Sequence, residues 1–274
     1  MIRRRRSSRP GRLGVAVGGL LTTAAILMAG ACGSGGAARP SPTTTVQRPH
    51  VVATTTMLGD VVRSVAGDRA DVTVLMAPGD DPRTFTLPAD AGVDLDDADL
   101  IVTTGLGFEA GLQPDLDRAR AAGTTVLDAA GMVAPIVGPD GEPDPHVWMD
   151  PDRLNTIASQ LADRLAVIAG GDAAPWHAAV TAYARDMAAA DESVQATLAT
   201  IPGDRRAFLT SSDGLAYFAE RYDVAPQRSP PRTDTGVLVI DVDSLGPARS
   251  ATATNAGLLT ATATVIAARL HSPP

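Results

Sequence analysis

The chain has 274 residues, with 23 basic side chains against 31 acidic ones and a formal net charge of −8. Its 45% hydrophobic content supports a sizeable buried core and excludes a wholly disordered chain. An acidic protein with only 3% aromatic residues is unsuited to nucleic acid, and a single cysteine excludes both an internal disulfide and a thiolate zinc cluster.

The charge is unevenly placed. Arg3, Arg4, Arg5, Arg6, Arg9 and Arg12 precede an uncharged apolar stretch, residues 13–31, that runs through Ala29-Gly30-Ala31 into Cys32. A basic start, an apolar middle and a small-residue end read as an export signal. A permanent anchor is the poorer reading, because the stretch is rich in Gly and Thr and stops at small residues rather than charges. Removing residues 1–31 takes away six arginines and no acid, so the net charge moves from −8 to −14. Such a surface attracts cations and repels phosphates. Residues 32–49 are rich in Gly, Ser, Pro and Thr, without hydrophobic period, and read as a flexible tether.

From Val51 the pattern becomes α/β. Residues 51–56 form a β-prone run. Leu58, Val61, Val62 and Val65 then share one helical face up to Ala66. Strands are expected over 71–76, 99–104 and 124–127, with a helix from Glu109 to Ala121. Asp150-Pro151-Asp152 starts a helix running to about Ala169, and a long Ala-rich helix spans 175–199. The tail predicts a strand at 207–210, a helix at 213–222, a strand at 237–240 and a last helix over 251–270. Strands alternating with helices imply parallel sheets. The expected organisation is a signal peptide at 1–31, a tether at 32–49, an N-terminal α/β lobe at 50–149, linking helices at 150–200 and a C-terminal α/β lobe at 201–274. A cleft at the C-terminal ends of the strands is where such folds bind ligands.

Four polar, turn-rich segments flank these elements: PGDDPRTF (78–85), DPHVWMDP (144–151), TSSDG (210–214) and DSLGP (243–247). In this order, with TTGLGFEAGL (103–112) between them, they resemble the zinc/manganese-type substrate-binding proteins of bacterial ABC importers over nearly all of the chain after the tether. The apolar stretch ending at Cys32 similarly resembles a lipoprotein signal, which makes Cys32 the lipidation site. Position 29 is Ala where that signal usually has Leu.

The resemblance implies two α/β lobes bridged by a long helix, with one Zn²⁺ or Mn²⁺ held between them by one residue from each motif. It also implies a monomer, tethered to the outer face of the cell membrane, that serves a permease and an ATPase. Position by position, His146 and Asp243 stand where ligands stand. Arg83 replaces a ligand histidine and Ser212 replaces a ligand His or Glu, leaving Asp213 and Ser212 as weaker candidate donors. The segment between Tyr222 and Val237 is short for the family, so the C-terminal lobe is expected to be reduced. A usual histidine-rich loop is replaced by residues 138–143.

Two other readings compete. One is a degenerate relative with weak or no metal binding, acting as an interaction or regulatory lipoprotein. In it, the always-charged guanidinium of Arg83 takes the cation's place opposite Asp243. The other is a hydrolase built on Ser211 or Ser212 with His146 and Asp243, but no Gly-x-Ser-x-Gly elbow surrounds either serine. The chain is therefore read as a binding protein and not an enzyme. Of the remaining candidates, Glu109 is expected to start a helix, His50 to lie in the tether, His177 on a helix surface and His271 at a frayed end.

Overall fold

The computed structural model describes residues 48–88, 95, 97–138, 141–228 and 237–271. The signal-like segment, Cys32 and residues 32–47 of the tether lie outside these. Among the described residues no helix is long and apolar enough to cross a membrane.

Four short parallel strands form the first sheet: β1 (His50–Ala53), β2 (Asp71–Val74), β3 (Leu100–Thr103) and β4 (Val126–Asp128), in the order β2-β1-β3-β4. The central strands carry Val51, Val52, Leu100, Ile101 and Val102, all buried, as expected where helices cover both faces of a parallel sheet. Two crossover helices complete the βαβ units. Helix α1 (Thr56–Ala66) follows β1, with the Thr55 hydroxyl accepting from Leu58 N, and its Met57, Leu58, Val61, Val62 and Val65 are buried. A short 3-10 turn (Ala110–Leu112) leads into α2 (Gln113–Ala122), which ends at Gly123 in the left-handed conformation. His50 belongs to β1 and not the tether: its ring Nε2 lies 3.0 Å from Thr73 Oγ1 on the neighbouring strand.

Helices α3 (Pro151–Ala169) and α4 (Ala174–Ala199) link the two sheets and pack on each other and on α1. Asp150 caps α3 by accepting from Asp152 N. The second sheet pairs β5 (Ala207–Thr210) with β6 (Ala225–Arg228) in parallel, across α5 (Ala216–Tyr222). Helix α6 (Asn255–His271) closes the chain against α4. His177 pairs with Asp163 at 3.3 Å on the outer surface, and His271 Nδ1 lies 2.8 Å from Ala267 O as the last residue of α6.

Two expectations for this half are corrected. Residues 237–240 do not form a strand. They meet β5 through a single parallel bridge, Thr210 to Leu238, and Val239 is exposed. The reason is local: the Ser212 hydroxyl donates to Ile240 O and accepts from Ile240 N, so a side chain takes the backbone groups a ladder would use. The strand that does form, β6, was not expected. Ala225-Pro226-Gln227-Arg228 has little β-propensity, but a proline is tolerated on an outer strand whose N–H groups need no partner.

One ionic knot ties the middle of the chain together. Arg221 on α5 grips both oxygens of Asp191 on α4 (2.7 and 3.0 Å) and reaches Asp152 (2.7 Å) and Asp150 (3.3 Å) at the start of α3. Tyr222 donates to Asp191 and Arg153 pairs with Asp150. The Arg221 hydrogen bonds hold the Asp191 carboxyl below its usual range. Arg221→Ala is expected to cost about 3 kcal/mol in urea unfolding, because it removes the bidentate partner of Asp191 and one of the two arginines on Asp150, both largely buried. Arg221→Lys should recover only part of this, since an ammonium cannot make the bidentate contact. A loss below ~1 kcal/mol for the alanine variant would refute the assignment.

Candidate metal centre

The site is assembled on the loops where the two sheets face each other. His146 stands at the start of a 3-10 turn (Val147–Met149) that feeds α3. Asp144, two residues earlier, accepts from His146 N (2.8 Å) and lies 2.6 Å from ring Nδ1. With Nδ1–H directed to Asp144, Nε2 is left facing the cleft, which is how a carboxylate orients a ligating imidazole. The ring is buried and flanked by Phe108 and Trp148, at centroid distances of 5.5 and 5.2 Å. Gly214 permits this position, because a methyl group there would collide with the His146 ring and with Val242.

Asp243 approaches from the other side. Trp148 Nε1–H donates to Val242 O at 2.7 Å, which fixes the residue before Asp243. Gly79 N donates to Ser244 Oγ and Leu245 N to Thr56 Oγ1, each at 2.8 Å, so this loop is clasped to the first half of the molecule. Asp243 Oδ1 lies 3.2 Å from His146 Nε2, yet it is buried and no hydrogen bond is directed at it among the described residues. A buried acceptor left open in this way suits a cation.

His146, Asp213 and Asp243 each offer an atom to this point, all within 4.8 Å of one another. Asp213 lies before α5 and does not cap it, and Asp243 lies well ahead of α6. Ser212 is not brought to the cluster, because its hydroxyl is bound to the backbone of Ile240. This also leaves it without the contact to His146 that a hydrolytic serine needs. Arg83 sits in the midst of the donors. Its Nη1 donates to Asp243 Oδ2 at 2.5 Å, its Nη2 lies 3.7 Å from Asp213 and 3.4 Å from His146 Nε2, and its guanidinium rests on the Phe108 ring at 5.0 Å.

Charge within the cluster is nearly compensated. Burial draws the His146 pKa down, but the hydrogen bond to Asp144 and the nearby charges of Asp144 and Asp243 outweigh it and push it up to about 9. Burial raises Asp243, and the His146 and Arg83 contacts overcome this and hold its carboxyl below the usual range. For His146 the folded value lies above the free value of 6.5, so its stabilising contribution is complete below pH ~6.5 and is lost as pH rises through about 9. Urea unfolding is expected to show a loss of up to roughly 3 kcal/mol across that window, absent in His146→Gln. Equal pH profiles for the two proteins would refute the pairing.

Several residues at the site were not singled out from sequence. Asp144 could have been, since a carboxylate two residues before a ligand histidine is the pattern of an orienting partner. Glu109 is not simply helix-initiating. Its buried carboxylate turns back to accept from Thr104 N (2.7 Å), Gly105 N (3.3 Å) and Thr54 Oγ1 (2.7 Å). That grip holds the loop carrying Phe108 against His146.

The family profile described as zinc-uptake complex component A, periplasmic, matches residues 51–267. The chain belongs to this family. Its members are substrate-binding transport proteins rather than enzymes. A manganese-binding lipoprotein of Halalkalibacterium halodurans is 28% identical over 173 residues, covering 63% of this chain and 57% of the relative. The zinc-binding protein TroA of Treponema pallidum is 27% identical over 179 residues, covering 64% of this chain and 58% of the relative. The chain thus spans less than two thirds of the length of these relatives. Among solved structures, the periplasmic zinc-binding protein TroA of Treponema pallidum superposes with a TM-score of 0.73 at 21% identity, covering 82% of this chain and 100% of that chain. A manganese-bound periplasmic metal-binding protein of Candidatus Liberibacter asiaticus gives 0.72 at 20% identity, covering 81% of this chain and 100% of that chain. The fold of the zinc-uptake component family is therefore that of this chain, a mixed α/β arrangement with parallel sheets joined by helices.

Proposed function

We propose that the chain is the extracytoplasmic substrate-binding component of an ABC importer for a divalent metal, Zn²⁺ or Mn²⁺. In this reading it is a monomer, anchored through Cys32, that hands its cargo to permease and ATPase subunits. The observation that carries the reading is the convergence of His146, Asp213 and Asp243 between the two halves of the fold. One imidazole and two carboxylates form an oxygen-rich set, which suits manganese better than zinc. Arg83 opposes the cargo, so the ion enters by taking Asp243 and Asp213 from the guanidinium. Equilibrium dialysis with Mn²⁺ and Zn²⁺ tests this. Stoichiometric binding is expected, weakened by at least about tenfold in His146→Ala. Binding that His146→Ala leaves unchanged would refute the site.

A second reading rests on the Arg83–Asp243 contact itself. There the guanidinium is the resident cation that joins the halves, and the chain is an interaction or regulatory lipoprotein without useful metal affinity. Membership of a transport family favours the first reading, and the same dialysis separates the two.

A further inference from the structure

We infer that the cleft takes its divalent cation wrapped in a small polycarboxylate rather than as a bare ion, because a cavity far larger than an ion joins the incomplete donor set to two guanidinium groups. The inference rests on the transport reading above and specifies its cargo. The cavity beside the donors holds about 640 Å³, and its charged wall residues are Arg83, Glu142, Asp144, Asp213 and Arg228, with His146 among them. That volume belongs to small-molecule sites, which run from roughly 300 to 1,000 Å³. A bare ion would leave most of it to water.

The chemistry of the walls names the missing part. His146, Asp213 and Asp243 supply three donors, so a cation needing four to six ligands must find the rest elsewhere. Carboxylate oxygens of a chelator complete that shell. The same carboxylates answer a second need. Once Asp243 and Asp213 turn to the metal, Arg83 loses both of its carboxylate partners and is left beside a divalent charge. A carboxylate between guanidinium and metal removes that conflict, and planar guanidinium is suited to gripping it. Arg228, at the end of β6, lies 3.9 Å from the same Asp213 oxygen that Arg83 approaches at 3.7 Å, with a largely exposed side chain that can turn to a second carboxylate.

The mouth of the cavity fits an organic cargo. Gly105, Leu106 and Gly107 all adopt positive φ, and Leu106 does so without being glycine, at φ 55°. The turn holds the Leu106 side chain exposed at the cavity wall, with Val137 also exposed there. Two apolar side chains contribute nothing to a bare ion and can cover the carbon skeleton of a chelator. Binding is ligand exchange with loss of one proton: Asp243 and Asp213 oxygens replace water on the metal, and His146 Nε2 does so after releasing its proton to solvent, while the chelator keeps its own bonds to the metal.

Calorimetric titration of the purified full-length chain with MnCl₂, with citrate and with preformed Mn²⁺–citrate tests the inference. The chelate is expected to bind at least about tenfold tighter than free Mn²⁺, with citrate alone weaker than either. Arg228→Gln should lower the affinity for the chelate relative to that for free Mn²⁺ by about fivefold or more. Free Mn²⁺ binding as tightly as the chelate, or an unchanged ratio in Arg228→Gln, overturns the inference and leaves the transport reading standing. Binding of neither species overturns both.

Discussion

Arg83→His should tighten divalent-metal binding by roughly 100-fold or more, the largest change expected from any single substitution in the cleft. The guanidinium lies 2.5 Å from Asp243 and 3.4 Å from His146 Nε2, inside the space a bound ion would share with it. Two unit charges ~4 Å apart at an effective dielectric of ~20 interact by about 4 kcal/mol, and a divalent ion doubles that. Solvent screening reduces the sum, since the Arg83 side chain is 40% exposed. Even a third of it matches the ~2.7 kcal/mol that corresponds to 100-fold. Histidine removes the repelling charge and adds a fourth donor. Arg83→Ala removes the charge alone and should give a smaller gain. Competition against a fluorescent chelator measures all three proteins. Arg83→His binding no tighter than the wild type would show that the guanidinium does not stand in the cation's path.

Trp148→Ala should lower folding stability by about 3–5 kcal/mol, the range for emptying a large buried aromatic site. The Trp148 side chain is fully buried, packs beside Phe108 and His146, and donates its indole N–H to Val242 O across 94 residues of chain. The substitution therefore opens a cavity and orphans a carbonyl next to Asp243. Trp148→Phe keeps most of the packing and loses the hydrogen bond, with an expected cost of about 1–3 kcal/mol. Urea unfolding of both variants separates packing from hydrogen bonding. A cost below ~1 kcal/mol for alanine would mean that the 147–149 turn does not join the halves.

Legibility differed between elements for physical reasons. Strands β1 and β3 and helices α1 and α3 follow local signals: β-branched runs, a 3.6-residue apolar stripe and a capping aspartate. The edge strand β6 carries none of these and exists because β5 offers it a partner. The run at 237–240 carries the signal, yet a serine hydroxyl displaced its ladder. The donors His146, Asp213 and Asp243 were candidates because they stand within motif-like segments. The Asp144–His146 spacing marks an orienting carboxylate, whereas no local pattern reveals that the Glu109 side chain turns inward.

From the sequence by itself came the alternation that makes a parallel α/β protein, the helix caps, the candidate ligands and the arginine where a histidine was expected. Those features depend on residues within a turn or two of each other, or on residue identity alone. Tertiary structure decided the rest: that Arg83 meets Asp243 across 160 residues, that Ser212 turns away to Ile240, and that a cavity with Arg228 on its wall opens beside the donors. Such outcomes are set by how two separately formed sheets dock on their linking helices, and packing over that distance leaves no trace in local periodicity.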